Sequence, residues 1–163
     1  MCNGKIFLVM RRAVPNRLLN NEIINQIREL FTAQLKHPVE LLFFTSEVEC
    51  ETCEEINQLL IEITELSDKV HLQNYDIENN AIIAQKYNIQ YTPGLVVAGL
   101  MEDNSVIDYG IRIIGAPSGY EFSSLLQAII LVSRRDSGLK TTTREKLNHL
   151  KDHVHLQVFV TPT

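Results

Sequence analysis

The sequence predicts a layered α/β domain built around a mixed β-sheet, and three observations carry that expectation. Short apolar runs alternate with stretches of helical periodicity, as in β–α–β units. The first of these runs, Val39 to Thr45 (VELLFFT), is almost wholly apolar, as a strand covered on both faces has to be. A Glu102-Asp103-Asn104 turn then joins two later runs closely enough for an antiparallel hairpin.

Taken in order, Leu19, Ile23, Ile27, Leu30 and Phe31 recur at helical spacing between Pro15 and Pro38 and predict an amphipathic helix over 16–35. Val39 to Thr45 follows as the central strand. Ile56, Leu59, Leu60, Ile63 and Leu66 trace one face of a helix beginning near Cys50, with Glu54, Glu55, Glu62 and Glu65 largely off that stripe. Val70 to Tyr75 predicts a second strand, Asn79 to Tyr87 a short helix, and Leu95 to Ala98 a third strand after Pro93-Gly94. The alternation favours parallel pairing and right-handed crossovers in this early part. Ser105 to Ile114 is the fourth strand, antiparallel to the third. A helix from Pro117 to Val132, with Phe122, Leu125, Leu126 and Ile129 on one face and Gly138 beyond its end, closes the unit.

Past Gly138, residues 139–143 read as a linker, and Thr142 with Glu145 forms a capping-box signature for a helix reaching Leu150. Val154 to Val160 (VHLQVFV) repeats the first central strand: Val39 matches Val154, Leu41 matches Leu156 and Phe44 matches Phe159. The chain thus divides into an N-terminal tail (1–15), one complete unit (16–135), and a linker, short helix and first strand of an incomplete second unit (136–163). An apolar strand without its own sheet either packs on the first unit or pairs with a copy of itself, which makes 154–160 a homodimer contact.

With 163 residues the chain is long enough for one ordinary core. Fifteen Lys+Arg against twenty Asp+Glu give a net charge of −5, so no broad basic face is available to displace counterions, and nucleic acid is excluded as a partner. The apolar run Ile6 to Met10 is far short of the roughly 20 residues that span a bilayer, and Arg11 and Arg12 follow it rather than precede it. Neither membrane attachment nor a signal peptide is expected, and Met10 is itself a candidate start. Cys2, Cys50 and Cys53 do not make the even framework of a small secreted domain, which points to a reducing, cytoplasmic compartment. Cys2 lies in the tail and is assigned no role.

Cys50-Glu51-Thr52-Cys53 carries the chemistry. A C-x-x-C pair after a buried strand, at a helix start, sits where unpaired N–H groups and the helix dipole favour thiolate over thiol. A nucleophile at the first position and a resolving thiol one turn on allow a mixed disulfide to form and then to be released. Thr92-Pro93, just before the third strand, suits a cis proline that holds the backbone of the preceding residue beside the dithiol.

Together with Ala84-x-x-Tyr87-x-Ile89-x-x-x-Pro93, this pattern resembles the thioredoxin-fold superfamily. More narrowly, Gly115-Ala116-Pro117-Ser118-Gly119-Tyr120-Glu121-Phe122 and Val158-Phe159-Val160-Thr161-Pro162-Thr163 resemble the N-terminal unit of two-unit, glutaredoxin-like protein disulfide oxidoreductases. The resemblance implies a thioredoxin-like three-layer α/β/α fold with a central mixed four-stranded sheet. It implies thiol–disulfide exchange at Cys50 and Cys53, substrate contact at Tyr91, Thr92 and Pro93, and no cofactor. The partners it implies are protein or small-molecule disulfides and a thiol reductant or reductase. In that family the Thr-Pro-Thr ending leads into a second C-x-x-C, so residue 164 is expected to be a cysteine, or a selenocysteine whose codon is read as a stop. A fragment or a frameshift would end the chain at the same place, and the nucleotides beyond codon 163 distinguish these cases. The buried acid that many thioredoxins place six residues before the first cysteine is Phe44 here.

Several alternatives stand beside this reading. Between Glu47 and Glu65 there are seven glutamates and no Lys, Arg or His. Their charge opposes the thiolate, so Cys50 is expected to be only mildly acidified and the dithiol reducing; a plain solvated helix face would also produce this run of glutamates. A weakly active or non-catalytic docking module of the same fold is the alternative function. A structural zinc needs about four ligands, and only His149 and His153 could join Cys50 and Cys53 from nearly a hundred residues away; no metal site is expected.

Overall fold

A computed structural model describes residues 17–48 and 50–160. The tail with Cys2 and Met10, Glu49, and the ending at 161–163 lie outside the described residues. The elements are α1 (Asn21–Gln34), β1 (Val39–Thr45), α2 (Cys53–Thr64), β2 (Val70–Asp76), α3 (Ala81–Lys86), β3 (Gly94–Leu100), β4 (Val106–Ile114), α4 (Tyr120–Arg134) and α5 (Thr141–Leu147). The four strands form one mixed sheet in the order β2-β1-β3-β4.

Alternation along β1 explains the layers. Val39, Leu41 and Phe43 point into one core with Ile24, Ile27 and Phe31 of α1, Ile56, Leu60 and Ile63 of α2, and Leu125 and Ile129 of α4. Leu42 and Phe44 point the other way, to Ala84, Tyr87 and Ile89 on and beside α3. With helices on both faces, β1 is buried almost throughout, which is why its sequence reads as an apolar run interrupted only by Glu40.

β1 and β2 pair in parallel, whereas β3 runs antiparallel to both β1 and β4. The parallel preference expected of the early part therefore stops at β2. The cause is the length of α3: six residues rise only about 9 Å, against roughly 23 Å for a seven-residue strand. The chain stays at the end of the sheet where β2 finishes, and β3 starts there and runs back.

Element boundaries differ from expectation for local reasons. α1 begins at Asn21 rather than at 16 because the Asn20 side chain accepts the Ile23 N–H, while the Glu62 carboxylate holds the backbone N–H groups of Leu18 and Leu19 outside the helix. α4 starts at Tyr120, after Gly119 at φ 55°, and ends at Arg135 in the left-handed region, three residues before the glycine expected to end it. In β4, Ala98 faces Asp108 but Val97 faces Ile111, so Tyr109 and Gly110 form a bulge, with Gly110 at φ 78°.

Two expectations for the last segment are corrected. α5 closes at Leu147 and its N-cap is Lys140, with no side-chain cap; Thr142 already lies inside the first turn, too late to cap it. Residues 154–160 form no strand and every one of them is exposed, so they add nothing to the core of the unit that precedes them. A strand is made by its ladder, and no described edge of this chain receives the segment.

Candidate functional site

β1 delivers the chain to the site. Beyond Thr45 the loop is fastened to the end of β2: Ile77 N–H donates to the Thr45 carbonyl at 2.8 Å, Glu47 N–H to Asp76 Oδ2 at 3.3 Å, and the Ser46 hydroxyl to Glu78 Oε1 at 2.9 Å. The loop then enters α2, with Thr52 at the N-cap and Cys53 as the first helical residue. Cys50 and Cys53 are joined as a disulfide with their Cα atoms 5.4 Å apart.

The two sulfurs differ in surroundings. Cys53 is buried among core side chains, whereas Cys50 is half-buried at the margin of the same core. Cys50 also lines an open depression of about 550 Å³ with Glu47, Val48 and Glu51. One sulfur thus faces an approach from solvent and the other is shielded, at a helix N-terminus whose unpaired N–H groups favour negative charge.

Gly94 opens β3 between Phe44 of β1 and Ile114 of β4, so the segment before it leaves the same end of the sheet as the dithiol loop. The Thr92–Pro93 peptide bond is cis, and the Pro93 carbonyl accepts the Gly115 N–H at 2.9 Å. Tyr91 is exposed, with Thr92 and Pro93 half-buried behind it. A Cβ on Gly94 would stand 2.9 Å from both Ile89 Cγ2 and the Tyr91 carbonyl oxygen, so the turn is packed down onto its own strand.

The glutamates separate into two groups. Glu47, Glu51, Glu54 and Glu55 are exposed around the dithiol. Glu62, expected on a solvated face, is buried instead and accepts from Leu18, Leu19 and the Gln58 amide. Burial by itself would raise its carboxyl pKa, but these hydrogen bonds outweigh burial and hold it below the ordinary carboxylate value.

Sequence reasoning also passed over Glu40. It is buried in β1, and its Oε1 has no hydrogen-bond partner. Burial pushes this carboxyl up, partly opposed by His71 in the next strand. The single acidic letter inside VELLFFT was the available signal. Glu40 sits four residues, about 13 Å, down the strand from Phe44, and so does not take the place of an acid beside the dithiol. His149 and His153 are exposed, and among the described residues no group of three or more His, Cys, Asp or Glu is placed to hold a metal ion. No helix among them is long and apolar enough to cross a membrane.

Comparison with known proteins gives the fold its context. No family model matches the chain. It is 26% identical over 146 residues to the F subunit of alkyl hydroperoxide reductase from Staphylococcus aureus (strain Mu50), covering 90% of this chain and 25% of that protein. The corresponding Escherichia coli (strain K12) protein is also 26% identical, over 87% of this chain and 24% of its own length. The chain therefore spans about a quarter of the curated relatives it matches. Among solved structures, a protein disulfide oxidoreductase from Aeropyrum pernix K1 superposes with a TM-score of 0.69 at 26% identity, over 81% of this chain and 55% of that one. The alkyl hydroperoxide reductase AhpF of Enterococcus faecalis (V583) superposes with a TM-score of 0.70 at 25% identity, over 82% and 62%. The fold is thioredoxin-like, and the C-x-x-C pair sits at the start of α2.

Proposed function

We propose that the chain is a thiol–disulfide oxidoreductase acting through Cys50 and Cys53. The observation that supports this most directly is the asymmetry of the pair, one sulfur on an open depression and its partner buried at the head of α2. In the reduced protein the Cys50 thiolate attacks one sulfur of a substrate disulfide and expels the other as a thiolate, which takes a proton. The Cys53 thiolate then attacks Cys50 Sγ, forms the intramolecular disulfide and releases the second substrate thiol. Two electrons pass to the substrate, and an external thiol or a reductase restores the dithiol. Tyr91, Thr92 and Pro93 dock the extended substrate backbone beside Cys50. We assign this chemistry to residues 16–135 and to a cytoplasmic setting.

A docking module that exchanges electrons poorly is the second reading, favoured by the exposed glutamates around the dithiol. Reduction of insulin and of a glutathione mixed disulfide, by wild type and by Cys50→Ser, separates the two. The oxidoreductase reading expects activity lost in Cys50→Ser and a trapped mixed disulfide in Cys53→Ser. Equal rates for wild type and Cys50→Ser overturn it.

A further inference from the structure

The end of the sheet that holds the dithiol carries one sign of charge. β1 and β2 finish there side by side, β3 starts there with Gly94 opposite Phe44, and β4 finishes there with Ile114 opposite Gly94. The connections leaving these strand ends therefore lie together. Among their described residues the charged ones are Glu47, Glu51 and Glu78, and the first turn of α2 adds Glu54 and Glu55; none is Lys, Arg or His. The connections at the opposite end are mixed, with Lys36, Lys69 and Arg135 beside Asp68, Glu102 and Asp103.

All five of these glutamates are exposed, and the ion pairs among the described residues engage Glu65, Asp108 and Asp136 instead. Cations on the adjoining elements are occupied elsewhere. Arg112 of β4 binds Asp108 at 2.7 Å, and Lys86 of α3 stands over the Tyr87 ring, 5.0 Å from its centroid. The carboxylates are not themselves a binding site. They set the field at a sulfur that is already open to approach, since Glu47 and Glu51 line the same depression as Cys50.

We propose that the substrates of Cys50 are polypeptide disulfides flanked by lysine or arginine, and that Glu47, Glu51 and Glu54 select them over neutral and anionic disulfides. The inference rests on the oxidoreductase reading and names the substrate class of that same site. A cationic segment is drawn to this end of the sheet, which raises its encounter rate, whereas an anionic disulfide is repelled. Once docked, its positive charge offsets the carboxylates that oppose the Cys50 thiolate, so the correct substrate also helps to ionise the nucleophile that attacks it. The exchange itself balances as before: the Cys50–Cys53 dithiol gives two electrons, the substrate S–S bond is replaced by two thiols, and the protein is left as its disulfide.

Single-turnover oxidation of the reduced 163-residue chain tests it, with disulfide-linked dimers of three capped tripeptides, Lys-Cys-Lys, Gln-Cys-Gln and Glu-Cys-Glu, as substrates. Each rate is divided by that of free dithiothreitol with the same peptide, which removes the peptide's intrinsic reactivity. The expected order is Lys over Gln over Glu, with the first about tenfold or more above the last at low salt. The preference should fall to within about twofold at 1 M salt, where the screening length is about 3 Å. Glu47→Gln, Glu51→Gln and Glu54→Gln combined should cut it to about a third or less. Because the preference is a ratio of rates on one protein, neither altered thiol reactivity nor a partly folded sample produces that change. Equal normalised rates for the Lys and Glu peptides in wild type overturn the proposal while leaving the oxidoreductase reading in place. So does a preference that survives both high salt and the triple substitution. Failure to exchange with any of the three peptides overturns the oxidoreductase reading, and this inference with it.

Discussion

The carboxylate of Glu62, on α2, accepts the backbone N–H of Leu19 at 2.9 Å across 43 residues of chain, and its other oxygen takes the N–H of Leu18 at the same distance. One buried side chain thereby satisfies two backbone donors just ahead of α1, outside the helix's own hydrogen bonds. Glu62→Gln leaves one of those donors facing an amide N–H₂ and is expected to cost about 1.5–3 kcal/mol, the range for hydrogen bonds to a charged group. Urea titration at neutral pH measures it. Because the folded carboxyl is held below its unfolded value, the stabilisation is present above about pH 4.3 and is lost as pH falls through the folded pKa. Wild type and Glu62→Gln should converge in acid, and a constant gap down to the acid transition would rule out this role for the carboxylate.

Glu40 has the opposite sign. Its carboxyl is buried, one oxygen is unpartnered, and burial raises its pKa. A raised folded pKa means the native state holds the proton longer than the unfolded chain, so stability is present at low pH and declines as pH rises through the folded value. Glu40→Gln carries no charge to bury and is expected to be more stable than wild type by on the order of 1 kcal/mol at pH 8, about 2–4 °C in Tm for a chain of this size. The advantage should shrink towards pH 4. Melting curves across that range decide it; a variant less stable than wild type at pH 8 would show that the ionised carboxylate is satisfied there.

Charge around the dithiol gives a kinetic prediction. Glu51 lines the depression beside Cys50, and Glu54 sits in the first turn of α2. Both repel the reduced Cys50 thiolate, while both favour the helix dipole. Glu51→Gln combined with Glu54→Gln is expected to speed iodoacetamide alkylation of reduced Cys50 about two- to fivefold at pH 7 and low salt. The gap should narrow towards 1 M salt, where the screening length falls to about 3 Å. Unchanged rates would make these glutamates only a solvated face.

These residues also mark what the sequence could convey. β1 was legible because burial on both faces leaves a run of apolar letters, and the dithiol because two cysteines at that spacing at a helix start have few other uses. Glu62 was misplaced because helical periodicity describes one helix alone, whereas its partners arrive from Leu18 and Leu19. Glu40 was hidden since pattern reports polarity and not whether a carboxylate finds a donor. The β-character of 154–160 could be read, but pairing is a property of two strands, and the edge that would complete it is not supplied within the described chain.

Gly94 tests whether the segment before β3 serves the dithiol. A Cβ there would meet the Tyr91 carbonyl oxygen and Ile89 Cγ2 at 2.9 Å each, closer than real contacts allow, and one of the two is backbone. Gly94→Ala must therefore push Tyr91, Thr92 and Pro93 outward, at a cost of about 1–3 kcal/mol for overpacking. The three atoms nearest the added methyl belong to Ile89, Tyr91 and Ile114, none of them in the dithiol loop or α2, so alkylation of the reduced thiol should keep its wild-type rate. If the Tyr91–Pro93 segment docks the substrate backbone, insulin reduction falls in this variant through a raised KM while the chemistry of the thiol is untouched. Stability lost with KM unchanged would assign these residues to packing alone and take the docking role away from them.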